Sequence, residues 1–353
     1  MEYHGNKNHC RYIRYIVIII LIIIAVFIIR KIRTGLEHNQ IISDNRFMMD
    51  TMVTIKISVP QGKSEIAQKA INNAFDRMQN LADKMDRFRK GSVVGKVNNA
   101  GGDPVIIDKE TFKLLGSVKE YATISSGIFD PTIAPLIDSW GFGTDKKQIP
   151  SSEEINEILK KVDYRKIKLT REDDKFYVKL PAEMAIDLGG AVKGYIVDSG
   201  IESIRSRGID RVYINAGGNI RVAGNKTGGK PWQIGVKQPR GQGIISDYIF
   251  QLDRGSIATS GDYERYFIRE GIKYSHLLDP RTGYPVREMY SATVYAETAL
   301  EADVLSTTVF IAGWDRGREI INQMQGVEGL LVRKGELWVS EGVRRLIKKQ
   351  HTN

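Results

Sequence analysis

The chain contains a single cysteine among its 353 residues, and this residue, Cys10, lies near the N-terminus. The rest of the chain therefore has no thiol, no disulfide and no cysteine metal site. That suits an exported domain which does not depend on oxidative folding. Cys10 precedes an apolar run at 15–29 instead of following it, so it is not placed as a lipoprotein cysteine would be.

Several common catalytic motifs are missing as well. The sequence has no G-x-x-x-x-G-K-[ST], no G-x-G-x-x-G after a predicted strand, no H-E-x-x-H and no G-x-S-x-G. These absences argue against nucleoside triphosphatases of the phosphate-loop type, Rossmann enzymes, zincins and α/β-hydrolases. The basic side chains form no patch interleaved with aromatic residues, so nucleic acid is not an expected partner.

The excess of basic residues is concentrated at the N-terminus. Residues 1–33 hold six basic side chains and one acidic one, a net +5 out of the +10 of the whole chain. They flank the apolar run at 15–29, which is shorter than the roughly 20 residues that span a bilayer, so the flanking arginines would have to snorkel. No small-x-small cleavage site follows the run, which favours an uncleaved membrane anchor over 1–33 instead of a signal peptide. Because both flanks are basic, the charges leave the orientation open.

After this segment, the sequence predicts a polar linker over 34–45 and one domain over 46–345. Apolar residues alternate after Arg46, which predicts a strand. Amphipathic helices are predicted from the turn at 60–62 to about Arg87, over 108–125, from a capping box at Ser151, and over 191–207, 299–312 and 315–325. Strands are predicted at 164–170 and 175–180 (a hairpin), 212–215, 219–223, 232–237, 244–252, 256–260, 292–296 and as a pair within 329–339. Strands in runs with inserted helices indicate an α+β fold with a mainly antiparallel sheet.

An aspartate interrupts an apolar helical segment at 302–310 (ADVLSTTVF). Burying the carboxylate of Asp303 without a partner would cost several kcal/mol. Thr307 follows four residues later and lies on the same helix face. Carboxylate and hydroxyl oxygens are ligands that suit Mg²⁺ or Ca²⁺. The alternative is that Asp303 caps or salt-bridges a group near the start of the helix.

A second unusual segment is 187–194 (DLGGAVKG), where paired glycines precede a predicted helix. Glycines let a ligand approach the backbone, and free N–H groups at a helix start attract anions. The helix dipole disfavours a cation at Lys193, so this side chain is expected to have an anionic partner. The alternative is an ordinary strand-to-helix turn with a surface lysine.

Several loops complete a larger pattern. Taken singly, 127–132 (GIFDPT), 140–143 (WGFG), 260–265 (SGDYER) and 275–285 (SHLLDPRTGYP) could each be a well-formed turn. The blocks G-x-F-D-P-T, D-x-G-G-x-x-K-G, S-G-D-Y-x-R, H-x-x-D-P-x-T-G-x-P and A-D-x-x-x-T follow one another in this order. Over residues 46–340 this set resembles the FAD:protein FMN transferase (ApbE) family.

The resemblance implies a single α+β flavin transferase domain that cleaves FAD with a divalent metal, Mg²⁺ or Ca²⁺. FMN would be attached through a phosphoester to a Thr or Ser of an acceptor flavoprotein, and AMP released. Asp303, Thr307 and the Gly190 carbonyl would hold the metal. Asp303, Lys193 and His276 would form the catalytic set, with either Asp303 or His276 as the base.

The residues that the resemblance assigns to FAD are Met49, Phe88, Ile128, Phe129, Asp130, Asp187, Lys193 and Leu277. Two of these positions depart from the family pattern: Asp50 replaces the glycine of the M-G-T element that begins at Met49, and Phe88 stands where tyrosine is usual. The family further implies a membrane-associated electron-transfer acceptor and a domain on the outer face of the cell membrane. Two other functions use the same residues: a FAD pyrophosphatase that yields FMN and AMP, and a flavin-binding module without chemistry.

Overall fold

The computed structural model describes residues 15–27 and 39–347. An α-helix, α1, occupies 15–27. The other helices are α2 (Ser64–Met85), α3 (Val93–Asn98), α4 (Lys109–Ile124), α5 (Ala134–Ser139), α6 (Ser152–Leu159), α7 (Val192–Arg205), α8 (Ala299–Gln323) and α9 (Val343–Leu346). The strands are β1 (Asn39–Met48), β2 (Thr51–Pro60), β3 (Val105–Ile107), β4 (Lys168–Glu172), β5 (Lys175–Lys179), β6 (Val212–Ala216), β7 (Asn219–Ala223), β8 (Trp232–Lys237), β9 (Ile244–Leu252), β10 (Arg254–Gly261), β11 (Tyr266–Arg269), β12 (Ile272–Ser275), β13 (Met289–Ala296), β14 (Glu328–Arg333) and β15 (Glu336–Val339).

The central element of the described residues is an eight-stranded sheet in the order β1-β2-β6-β7-β10-β13-β14-β15. Every neighbouring pair in it is antiparallel. Three small antiparallel sheets, β3-β5-β4, β8-β9 and β11-β12, surround it. The predicted α+β fold with a mainly antiparallel sheet is confirmed.

Helices α2, α7 and α8 cover one face of this sheet, and the β8–β9 hairpin covers part of the other. Ile55 and Ile57 of β2 are fully buried against Phe75 of α2, as their period-two spacing predicts. Each such side chain contributes roughly 1.5–3 kcal/mol to folding. Trp232 and Phe250 are buried on the opposite face. The sheet therefore has a core on each side, and α7 and α8 lie together on one of them.

The first strand is the main difference from the sequence-based expectation. The polar segment at 39–45, expected to be part of a linker, pairs with β2 as most of β1. The partly buried positions of this strand alternate with exposed ones, but they include Asp44 and Arg46, so its inward face gives no continuous apolar pattern. Ile41 and Phe47 are indeed exposed. Hydrophobic periodicity therefore did not reveal this strand, and residues 34–38 of the expected linker lie outside the described residues.

Other boundaries agree more closely with the sequence. The capping box is present, since Ser151 accepts from the Glu154 N–H and the Glu154 carboxylate accepts from the Ser151 N–H. The two helices predicted at 299–312 and 315–325 are the two halves of α8, which breaks at Gly313. The predicted hairpin begins later than expected, because 164–166 form a 3-10 turn before β4.

The predicted membrane anchor at 1–33 lies only partly within the described residues. Residues 15–27 form α1, and its apolar side chains are exposed. Residues 1–14 and 28–33 lie outside that part of the chain. Among the described helices, none combines the length and the apolar character that crossing a membrane requires.

One departure from the family pattern, Asp50, lies in the two-residue turn between β1 and β2. Met49 and Asp50 have φ of +53° and +57°, a conformation in which glycine is favoured. Asp50→Gly and Asp50→Ala both remove the exposed ion pair to Arg265, 3.2 Å long, and differ only in the strain of a side chain in the left-handed region. We expect the glycine variant to have the larger free energy of unfolding, by about 1 kcal/mol. Urea denaturation of the two variants measures this difference, and equal stability would contradict it.

Candidate active site

Asp303 lies one turn into α8 and is only 5% exposed. Its Oδ2 accepts a hydrogen bond of 2.9 Å from the backbone N–H of Gly194, in the first turn of α7. Burial raises the pKa of Asp303, while the charge of Lys193, the amide of Asn219 and the Gly194 N–H act to lower it. The aspartate therefore joins two helices at a buried point that also faces a cation.

Asp303 does not cap its own helix. The start of α8 is capped by Thr298, which accepts from the Glu301 N–H, and by Asp198 of α7. The Asp198 carboxylate accepts from the backbone of Ala299 (2.8 Å) and of the following residue (2.9 Å). The same carboxylate pairs with Arg221 at 2.5 Å. Asp303 therefore does not cap α8, but its carboxylate does accept a backbone N–H in the first turn of α7.

Thr307 and Gly190 are brought together, as the predicted metal site requires. A Cβ placed on Gly190 would lie 3.3 Å from the Thr307 hydroxyl and 3.2 Å from the Phe129 ring. Thr307 follows Asp303 by one helical turn, so both side chains lie on the same face of α8. The Thr307 hydroxyl is also 3.2 Å from the hydroxyl of Ser260, at the end of β10. Ser260 belongs to the S-G-D-Y-x-R block, and its contact with α8 accounts for that block's place in the pattern.

The donors of this cluster fit a divalent cation of the Mg²⁺ or Ca²⁺ type. They are a carboxylate, a hydroxyl and a backbone carbonyl, all oxygen ligands. Within the described residues there is no group of three or more His, Cys, Asp or Glu arranged around a common point, so a site richer in side-chain charge is not formed there. Asn219 Nδ2 is buried beside Asp303 without a hydrogen bond of normal geometry, although its amide is close enough to lower the Asp303 pKa. The buried carboxylate therefore has polar neighbours from both β7 and α7.

The charge of Lys193 acts on both Asp303 and His276. Its positive charge lowers the pKa of both groups. Among the described residues, no carboxylate oxygen comes within ion-pair distance of its ammonium group. Within the described residues, the ammonium group in the first turn of α7 therefore forms no ion pair, and its expected anionic partner stays a prediction.

His276 is held by the carbonyl of Arg265, which lies 3.1 Å from Nδ1. Although the residue keeps some exposure, loss of solvent around the ring lowers the pKa of His276 to about 4, and the charges of Arg265 and Lys193 act in the same direction. A carbonyl oxygen only accepts, so Nδ1 carries the hydrogen and the lone pair of the neutral ring is on Nε2. Phe142, from the W-G-F-G loop, packs edge-on against the ring with centroids 6.4 Å apart.

Asp187 has a partner that sequence reasoning missed. Its Oδ2 is 2.6 Å from Nε of Arg87, whose side chain is only 9% exposed, and its Oδ1 accepts from the Gly189 N–H at 2.6 Å. The guanidinium also pairs with Asp138 at 2.7 Å and lies over the Phe88 ring at 4.2 Å. Phe88 itself is 61% exposed, so a stacking surface remains open beside Asp187. The sequence alone does not reveal this role of Arg87, because a single arginine at the end of a predicted helix is common.

Asp130 is held by hydrogen bonds within the protein. Both of its carboxylate oxygens are engaged by the protein: Thr132 donates through N–H (2.8 Å) and hydroxyl (2.6 Å), and the Tyr164 N–H donates at 3.0 Å. Burial raises its pKa against these bonds. Asp130 therefore shapes the loop that carries Ile128 and Phe129, both of which are buried.

Leu277 and Met49 frame other sides of the same region. Leu277 is buried, and its carbonyl accepts from the Val286 N–H, which closes the loop after His276. Thr51, next to the turn at Met49, contacts the loop between β6 and β7, where a Cβ on Gly217 would lie 2.4 Å from its hydroxyl. That loop leads directly to Asn219, so the turn at Met49 is connected to the surroundings of Asp303.

Comparison with known proteins identifies the family. The model of the ApbE family matches residues 49–331. An ApbE protein from Thermotoga maritima has a structure similar to this one, with a TM-score of 0.80 and 35% identity over 88% of this chain and 100% of that chain. The chain belongs to the ApbE family.

Two further relatives carry functional names. The structure titled flavin transferase ApbE from Vibrio cholerae has a TM-score of 0.75 and 26% identity, and covers 88% of this chain and 100% of that one. A protein of Treponema pallidum named FAD:protein FMN transferase is 27% identical over 299 residues, 81% of this chain and 82% of its own length. The ApbE match begins at Met49 and ends in β14, so it contains every residue that the sequence assigned to the site.

Proposed function

We propose that this chain transfers FMN from FAD to a Thr or Ser hydroxyl of an acceptor protein and releases AMP, with a divalent cation held by Asp303, Thr307 and the Gly190 carbonyl. The observation that carries the proposal is the buried Asp303, whose pKa is raised by burial and which faces Lys193 beside Thr307. The names of the relatives from Treponema and Vibrio support the reaction. The oxygen donors of the cluster support Mg²⁺, with Ca²⁺ as the alternative.

A cation bound by these oxygens would neutralise charge on the pyrophosphate and so make AMP a better leaving group. Lys193 supplies a second positive charge from the protein itself. Most N–H groups at the start of α7 are already bonded, since the Val192 N–H donates to the Leu188 carbonyl and the Gly194 N–H to Asp303, so the lysine side chain would supply the main contact to the anion. Together these groups would stabilise negative charge on the phosphate oxygens.

The flavin half of FAD would lie along the side of the site that contains Asp187, Phe88 and Met49, with Ile128, Phe129 and Leu277 as apolar walls. The exposed ring of Phe88 offers a face for stacking, and the guanidinium of Arg87 fixes its position. Arg87 also holds the Asp187 carboxylate, so one buried arginine organises two predicted FAD contacts.

Between the two candidates for the base, the geometry favours His276. Nε2 of a neutral imidazole can accept the proton of an acceptor hydroxyl, and the Arg265 carbonyl keeps the ring in the required tautomer. The carboxylate of Asp303 already accepts the Gly194 N–H and faces the cation of Lys193. Asp303 would therefore hold charge, and His276 would take the proton.

The low pKa of His276 predicts an unusual pH dependence. Because its pKa is lowered to about 4, kcat/KM for the acceptor should stay level as pH falls through 6.5 and decline only near pH 4. In the unfolded chain the histidine takes up its proton near pH 6.5, so it should also remove roughly 2–3 kcal/mol of folding free energy between pH 6.5 and pH 4. His276→Gln should lose transfer at all pH values and lack this loss of stability. A wild-type activity limb near pH 6.5 would contradict the assignment.

The reaction itself is tested with the full chain in detergent, FAD, Mg²⁺ and a membrane-associated electron-transfer flavoprotein as acceptor. Flavin fluorescence that stays with the acceptor in a denaturing gel identifies a transferase, and chelation of the metal should abolish it. Free FMN and AMP without labelled acceptor would identify a FAD pyrophosphatase instead. Unchanged FAD, bound to the protein, would leave only a flavin-binding module.

The same proposal includes a membrane location, with residues 1–33 as an anchor and the domain on the outer face. The exposed apolar side chains of α1 and the basic residues around them support contact with lipid. Sedimentation of the full chain with membranes, and protease access from outside the cell, would test the anchor and the orientation separately.

A further inference from the structure

A cavity with a volume of about 200 Å³ lies beside the β11–β12 hairpin. Its lining includes three cationic side chains, Arg240, Lys273 and Arg287, and one carboxylate, Asp262. Three positive charges less one negative charge leave a formal +2. Since Asp262 is buried and pairs with Arg240 at 2.5 Å and Lys273 at 3.2 Å, its own charge is already matched. The cavity therefore keeps an excess of positive charge for a ligand.

A buried hydroxyl in the same lining lacks a partner. Ser275 is 2% exposed, and its Oγ forms no hydrogen bond within the described residues. A buried hydroxyl without a partner is unfavourable and uncommon. An anion could accept a hydrogen bond from this hydroxyl and at the same time pair with the excess positive charge of the cavity.

This cavity is separate from the proposed FAD site. Side chains alternate along a strand, so Lys273 and Ser275 lie on one face of β12 while Tyr274 and His276 lie on the other. Tyr274 and His276 contact the aromatic side chains of the W-G-F-G loop. Arg287 of the cavity also lies over the Tyr274 ring at 4.8 Å, so the two regions adjoin, but no residue that lines the cavity is among those assigned to the FAD site.

The volume limits the ligand. Pockets for drug-sized and nucleotide ligands usually measure about 300–1,000 Å³, which is larger than this cavity. We infer that it is a binding site for a small oxyanion, a phosphate or a carboxylate, held by the Ser275 hydroxyl, Lys273 and Arg287. This inference does not depend on FMN transfer, because it concerns different side chains and a different ligand.

The test uses the full chain in detergent and measures thermal unfolding in inorganic phosphate or acetate against chloride at equal ionic strength. We expect phosphate or acetate to raise the midpoint temperature, because a ligand that binds only the folded state stabilises it. Ser275→Ala should weaken the affinity about tenfold, which is the usual effect of one hydrogen bond to a charged group. The unliganded midpoint should not fall in this variant, because the deleted hydroxyl makes no hydrogen bond. Lys273→Met should weaken binding in the same way.

Two controls match these changes. Ser291→Ala deletes another buried hydroxyl without a partner, outside the cavity, and Lys168→Met removes one charge from the exposed face of β4. Both should keep the phosphate effect of the wild type. A midpoint that does not respond to any oxyanion, or an equal response in Ser275→Ala and Lys273→Met, would overturn the inference.

The source of the anion is distinguished by a peptide with one aspartate among glycine and serine residues, compared with its asparagine counterpart. Tighter binding of the aspartyl peptide than of acetate would identify an acidic side chain of a protein partner as the ligand. Binding of phosphate without binding of the peptide would identify a free oxyanion. Either result supports the site.

Discussion

Asp303→Asn is expected to lower kcat/KM for FMN transfer by about a thousandfold or more while the chain stays folded. Asparagine keeps the size of the side chain and can still accept the Gly194 N–H. It brings no negative charge, so the divalent cation loses its only carboxylate among the proposed ligands. Lys193 would also lose the negative group that it now faces.

Stability separates this effect from unfolding. Burial raises the pKa of Asp303 above its ordinary value, so the ionised side chain is less favourable in the folded chain at pH 7 than in the unfolded one. Removing the charge should therefore leave the midpoint of thermal unfolding unchanged or raise it. Calorimetric titration with Mg²⁺, transfer kinetics and thermal unfolding on the same preparation measure the three effects.

Glu301→Gln is the matched control. Glu301 lies two residues earlier on the same helix, is half-buried, and also has a pKa raised by burial. It faces Glu297 and Asp198, away from Lys193, so its neutralisation should leave Mg²⁺ binding and transfer close to wild type. Normal transfer by Asp303→Asn, or an equal loss in both variants, would refute the proposed site.

The sequence revealed Asp303 because a carboxylate in an apolar helical run is visible without any structure. Its neighbour Thr307 follows from helix geometry alone, and Lys193 from its unfavourable place at a helix start. These are local signals, and they depend on residues within one or two turns of each other. The structure places all three in one region.

Long-range contacts had no such signal. The pair of Arg87 with Asp187 joins residues that are 100 positions apart, and Asn219 of β7 lies beside Asp303 of α8. Chain topology decides these encounters, and no periodicity within one segment contains them. The Asp130 carboxylate is a further example, since it accepts from the Tyr164 N–H, 34 positions along the chain.

Gly194→Ala is expected to reduce the free energy of unfolding by about 3 kcal/mol or more, because it separates α7 from α8. A Cβ at Gly194 would lie 2.1 Å from the carbonyl oxygen of Ala299 and 2.8 Å from Cβ of Asp303. Both contacts are far below van der Waals distance, and a carbonyl of the helix backbone cannot rotate away as a flexible side chain can. The helices would have to move apart, which also withdraws Asp303 from Lys193 and should lower transfer.

Gly116→Ala, also a change of a helical glycine, is expected to raise the free energy of unfolding instead of lowering it. Gly116 lies inside α4, and a Cβ there would meet nothing within 4 Å. Alanine is the better helix former, so this variant should gain roughly 0.5–1 kcal/mol and keep full activity. Urea denaturation and transfer kinetics of both variants test the argument together. If Gly194→Ala were as stable as Gly116→Ala, the close approach of α7 and α8 at Asp303 would be wrong, and the cation site that depends on it would need another geometry.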